Sequence, residues 1–153
     1  MAKLITKDLL NSISEQAKNS VRLRMNYNFH ETADAPIQRM LNALEPNTYL
    51  PPHCHPDKDE VYIIIRGNLI TVFFDEKGNI TDKIILNPAI GNYGLEIPAG
   101  TWHSIVVLEP DSVIYEIKQG PYLSSSEKDI APWAPLASDQ KAVEMFMQKV
   151  LRA

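Results

Sequence analysis

From residue 21 to residue 118 the chain alternates apolar and polar side chains in short runs, each broken by turn residues. A period of two places successive side chains on opposite faces of a strand. Residues 21–31 set Val21, Leu23, Met25, Tyr27 and Phe29 against Arg22, Arg24, Asn26, Asn28 and His30. That pattern predicts a half-buried strand or extended arm. Its polar face is either solvated, the ordinary case, or turned into a cavity, where its donors can serve an anionic or hydroxylated ligand. Further strands are predicted over 37–44, 60–66, 69–74, 80–86, 93–97, 102–108 and 112–118. The β-branched run within 60–66 predicts a strand buried on both faces. Turn signals separate the runs: Asp34-Ala-Pro36, Glu45-Pro-Asn-Thr48, Gly67-Asn68, Asp75 to Asn79, Asn87-Pro88, Pro98-Ala-Gly100 and Glu109-Pro-Asp111. Asn47 can take the left-handed conformation there, and Pro51-Pro52 marks an edge or a strand start. About eight or nine short strands at even spacing, with no βαβ alternation, predict an all-β sandwich or barrel.

The two ends change period. Leu9, Leu10, Ile13 and Ala17 share one helical face, and Thr6 is placed to cap it, which predicts a helix over about 7–18. Val143, Phe146, Met147, Val150 and Leu151 make a second stripe, with Ser138 as its cap, over about 138–152. Residues 121–137 read as a loop, with Trp133 anchored on the barrel. No repeat or composition shift divides the chain, so the expectation is one domain over 1–153, with its barrel core at about 36–118.

Composition then narrows the function classes. Fifteen basic against 19 acidic residues, a formal charge of −4, give no electrostatic reason to expect nucleic acid or an anionic membrane as a partner. One cysteine among 153 residues cannot form an internal disulfide. The first residues lack the apolar core of a signal peptide, and no stretch approaches the roughly 20 apolar residues of a bilayer span. A cytoplasmic protein is expected, as a homodimer that pairs exposed sheet edges.

The candidate chemistry lies at His53-Cys54-His55. Two histidines one residue apart on a strand share a face, which sends Cys54 to the other side and into packing. Glu60 opens the next strand, where its carboxylate can turn back toward them, and His103 begins a strand after the Pro98-x-Gly100 turn. Imidazole nitrogen and carboxylate oxygen are ordinary ligands of first-row transition metals. One divalent ion per chain is expected on His53, His55, Glu60 and His103; iron, manganese, nickel, cobalt and zinc all suit that set. Arg24, Asn26, Asn28, His30 and Tyr62 are candidates for the wall of a substrate pocket, Tyr62 because it shares the parity of Glu60, with core packing equally open to it. Tyr115 and Glu116 point opposite ways, and the alternation does not say which is inside. No serine pairs with a base at a recognisable motif, no glycine loop is built for phosphates, and no catalytic residue is assigned.

The spacing also carries a resemblance. Asn47, five residues, His53-x-His55, four residues, Glu60, six residues, Gly67 resembles the first cupin motif, and Pro98-x-Gly100-x-x-His103 resembles the core of the second. Asn47 replaces the usual first glycine, and Val107 stands where an asparagine often ends the second motif. The resemblance implies a jelly roll with flanking helices and the four ligands above. Arg24-Met-Asn-Tyr-Asn-Phe-His-Glu31, Asn92 to His103 and Lys128-Asp-Ile-Ala-Pro-Trp-Ala-Pro135 are similar to the WbuC family of cupin-fold metalloproteins. That similarity implies a small sugar-like ligand linked to O-antigen or surface-polysaccharide synthesis. The expected activity is metal-dependent isomerase-like proton transfer or oxygenation, and the alternative is a non-catalytic carbohydrate-binding module.

Overall fold

A computed structural model of the chain describes residues 1–123 and 128–153. The first helix, α1 (Lys7–Lys18), starts where the apolar stripe requires, with Thr6 Oγ1 accepting from Leu9 N at 3.1 Å. The strands follow as β1 (Arg24–Asn28), β2 (Ile37–Leu44), β3 (His53–Cys54), β4 (Glu60–Arg66), β5 (Leu69–Phe74), β6 (Ile80–Leu86), β7 (Gly94–Ile97), β8 (His103–Val107), β9 (Ser112–Gln119) and β10 (Asp129–Ile130). The chain closes with α2 (Gln140–Arg152). Among the described residues the strands form two five-stranded antiparallel sheets, ordered β1-β2-β9-β4-β7 and β10-β3-β8-β5-β6. Two such sheets face to face, with flanking helices, fit the sandwich or barrel that the alternation predicted and the jelly roll that the resemblance implied.

One end of the space between the sheets is hydrocarbon. Leu44, Tyr62, Ile64 and Ile114 from the first sheet meet Leu69, Ile105 and Val107 from the second. The outer faces are covered by the helices. Leu10, Ile13 and Ala17 of α1 pack on Leu41, Ala43 and Val113. Val150 of α2, with Phe146 and Trp133, packs on Ile70, Val72 and Phe74. Trp133 is anchored as expected, its ring centroid 5.0 Å from that of Phe74.

Several expectations change. Strand β4 is buried on its inner face only: Ile63 and Ile65 are 40% and 36% exposed, because α1 packs over β1, β2 and β9 and reaches β4 at Arg66, which donates to Asn11 and Ser14. The last helix is capped by Asp139, whose carboxylate accepts from Ala142 N at 3.1 Å, rather than by Ser138. The stretch read as loop over 121–137 contains β10, which pairs Asp129 with Cys54 and Ile130 with His53. Residues 124–127 of that stretch lie outside the described residues. Asn47 does take the left-handed conformation, at φ 70°. Gly67 turns β4 into β5 at φ 98°, and a Cβ there would lie 2.2 Å from Ser112 Oγ, so the position excludes any side chain. Among the described residues no helix is long and apolar enough to cross a membrane.

Candidate metal centre

The other end of the inter-sheet space is polar. Strands β3 and β8 place His53 directly opposite His103, with ring centroids 4.5 Å apart. His55 follows β3 and returns to the same face, its ring centroid 5.2 Å from that of His53. Glu60 enters from the opposite sheet as the first residue of β4. Its Oε1 lies in contact with His55 Nε2 and 3.7 Å from His103 Nε2. Ligand atoms of His53, Glu60 and His103 lie within 4.8 Å of one another, and His55 adjoins that trio through Glu60. All four side chains are buried.

The outer hydrogen bonds orient the rings. A carbonyl can only accept, so the contacts of His53 Nδ1 with Pro51 O (2.9 Å) and of His103 Nδ1 with Thr101 O (2.8 Å) put the proton on Nδ1. Each Nε2 then offers its lone pair to the interior, the arrangement that fixes metal-binding imidazoles. Burial holds His53 well below the usual histidine range, and the neighbouring His103 adds to this. Burial lowers His103 as well, against the opposing pull of Glu60. For Glu60, burial pushes upward, but the adjoining His55 Nε2 and the neighbouring His103 and His53 rings outweigh it and hold the carboxyl low. Neutral imidazoles and an ionised carboxylate are the protonation states that metal ligation requires.

These residues fit a cation. Among the described residues, Glu60 Oε1 has no hydrogen-bond partner of acceptable geometry, although it touches His55 Nε2. A buried carboxylate oxygen left in that state is costly unless a positive centre lies beside it. Cys54 takes no part. It is buried on the opposite face, and burial pushes its thiol up and keeps it protonated.

Of the cluster, His53 and His55 line a cleft of about 480 Å³. The polar face of the 21–31 segment, for which solvent was the ordinary expectation, lines this cleft: Arg22, Arg24, Asn26, Asn28 and His30 all face it. The register explains why. Asn26 pairs with Asn42, Asn28 with Met40, Met40 with Glu116 and Glu116 with Tyr62, so these rows cross one face of the first sheet. Tyr62 belongs to both environments. Its ring joins the apolar core, and its hydroxyl lies 3.3 Å from His103 Nε2. Glu116 is the inward member of its pair, and burial beside Glu60 pushes it up to about 7. Tyr115 packs outward against Phe29, with centroids 5.7 Å apart. Asn42, Gln38, Lys118 and Lys128 also line the cleft and were missed in the sequence. Parity along β2 and β9 carried the signal for the first three; nothing local marked Lys128.

Comparison with solved structures gives the class of fold. The chain is similar to KdgF from Halomonas sp. at 20% identity and a TM-score of 0.52, over 67% of this chain and 82% of that one. It is similar to a cupin superfamily protein from Desulfitobacterium hafniense at 19% identity and a TM-score of 0.50, over 63% and 76% of the two chains. The capsular polysaccharide assembling protein CapF from Staphylococcus aureus matches at 18% identity and a TM-score of 0.56, over 69% of this chain and 29% of CapF. The fold is that of a cupin. The chain belongs to the family described as Domain of unknown function (DUF6016), whose model matches residues 5–86, more than half of its length. No curated protein matches it.

Proposed function

We propose that this cupin binds one divalent transition-metal ion through His53, His55, Glu60 and His103 and acts on a small sugar-like molecule in the cleft above. The observation that carries the reading is the buried Glu60 Oε1, unsatisfied by any good hydrogen bond and faced by imidazoles whose Nδ1 protons are turned outward. When bound, the ion would supply Lewis-acid polarisation of a carbonyl or hydroxyl pair, or with iron an oxygen-reactive centre. The chain's own residues do the rest. Amides of Asn26, Asn28 and Asn42 offer donors and acceptors to hydroxyls, and Tyr62 and Glu116, neighbours in register, can carry a proton at the edge of the cluster. Isomerase- or epimerase-like proton transfer and oxygenation are the two reactions this set suits.

The sugar reading is supported by the similarity to the WbuC family and by CapF being a polysaccharide-assembling protein. A second reading is a non-catalytic carbohydrate-binding module stapled by metal. It draws on the way the cluster ties β3 and β8 of one sheet to β4 of the other. Elemental analysis of protein purified without added metal tests the core of the proposal. About one equivalent of a transition metal is expected, lost in His53→Ala and His103→Ala; a metal-free protein that refuses added ions would overturn it. Oxygen uptake by iron-loaded protein, against proton exchange into incubated sugars, then separates the two reactions, and stabilisation by sugars without turnover selects the binding module.

A further inference from the structure

The walls of the cleft differ in charge from the protein around them. Among the described residues, Arg22, Arg24, Lys118 and Lys128 line it against Glu31 and Glu116, whereas the whole chain carries 15 basic and 19 acidic residues. Arg24 and Lys128 form no ion pair with any described residue. Arg24 Nη1 is fixed by Tyr49 O at 2.9 Å and Thr48 Oγ1 at 3.5 Å, which holds the guanidinium in place while Nη2 and Nε make no hydrogen bond to a described residue. Lys128 is lowered by burial first, then by Arg24 and Lys118; Arg24 is lowered by burial and then by Arg22. Cations that crowd one another favour an anion placed among them.

A second observation is independent of charge. Asn42 is 7% exposed and lines the same cleft, and its Oδ1 is buried without a hydrogen-bond partner. An orphaned amide oxygen on a residue of the cleft wall is an acceptor left for a donor. It lies one strand over from Asn26 and thus on the same wall as Arg24, two residues back along β1.

We propose that the cleft takes a small polyhydroxylated anion, its carboxylate or phosphate seated between Arg24 and Lys128 and one of its hydroxyls donating to Asn42 Oδ1. The metal reading enters only in saying which end of this molecule meets the cluster. Arg24, Lys128, Asn42 and the candidate ligands His53 and His55 line one cleft, so one molecule can reach all of them.

Calorimetric titration with D-glucuronate, D-glucose 6-phosphate and D-glucose tests this, with metal content measured on the same samples. At least one of the two acidic sugars should bind at least tenfold more tightly than glucose, and the preferred one distinguishes carboxylate from phosphate. Lys128→Gln, on an exposed segment and outside the core, should cost the acidic sugar about tenfold and leave its enthalpy of unfolding unchanged. Asn42→Leu should weaken the acidic sugar while leaving the response to salt as it was. Glucose binding as tightly as both acids, no binding of either acid, or Lys128→Gln without effect would each overturn the proposal. A protein that takes up no metal but prefers acidic sugars defeats the metal reading and leaves this one standing; metal uptake without that preference does the reverse.

Discussion

The four candidate ligands are spread from residue 53 to residue 103 and come from opposite sheets, so only the folded chain can present them together. Metal binding must therefore stabilise the native state by mass action, through RT ln(1 + [M]/Kd). At free metal a hundredfold above Kd this amounts to about 2.7 kcal/mol. For a chain of this size each kcal/mol moves Tm by roughly 2–4 °C, which gives a rise of about 5–11 °C. The perturbation is His103→Ala. It removes the imidazole that sits 4.5 Å from His53 and 3.7 Å from Glu60 Oε1, and it leaves the His53–His55 pair in place. Scanning calorimetry at two metal concentrations a hundredfold apart should show the rise in the wild type, its loss on adding a chelator, and no metal-dependent rise in the variant. The variant should also melt lower than the metal-free wild type, because it leaves a void beside Tyr62. A wild-type Tm that ignores metal over this range, or a variant that keeps the full shift, would refute the convergence of these residues on one ion.

Other expectations test the scaffold that holds the site. Gly67→Ala forces a Cβ against Ser112 at a positive φ and should cost about 2–4 kcal/mol in urea unfolding; an unchanged midpoint would contradict the close approach of β4–β5 to β9. Thr6→Ala removes the cap of α1 and should cost about 1 kcal/mol, with the cleft's ligand affinity unaffected. Cys54 is buried, so a thiol reagent should label it only as the protein unfolds, and rapid labelling of the native state would show the strand turned over.

Much of this architecture could be read from local pattern. The bounds of α1, β2, β4, β5 and β6 agree with the apolar runs and the turn or cap residues that flank them. The residues of the candidate cluster could be singled out because their spacing is tied to backbone geometry: His53 and His55 share parity, and a Pro-x-Gly turn starts β8 at His103. What failed depends on distant neighbours. Alternation showed that Arg24, Asn26 and Asn28 share a face, but only pairing with β2 and β9 turns that face into the cleft. The outer face of β4 is apolar in sequence whether or not a helix covers it. Strand β10 has two residues, too few for any period, and it exists only because β3 offers an edge. Glu116 and Tyr115 could be separated only by knowing which side α1 occupies.

That last short strand ties two distant parts of the chain together. His53 sits on a β-strand of two residues, and one of its two ladders comes from Ile130, with Ala131 N reaching Pro52 O at 2.9 Å just beyond. The loop carrying the first pair of imidazoles is thus moored by chain that follows it by more than seventy positions. Shortening the protein after Gln119 would leave β1 to β9 intact on paper while casting off that mooring, so metal uptake at the proposed centre and the integrity of the tail are expected to be lost together.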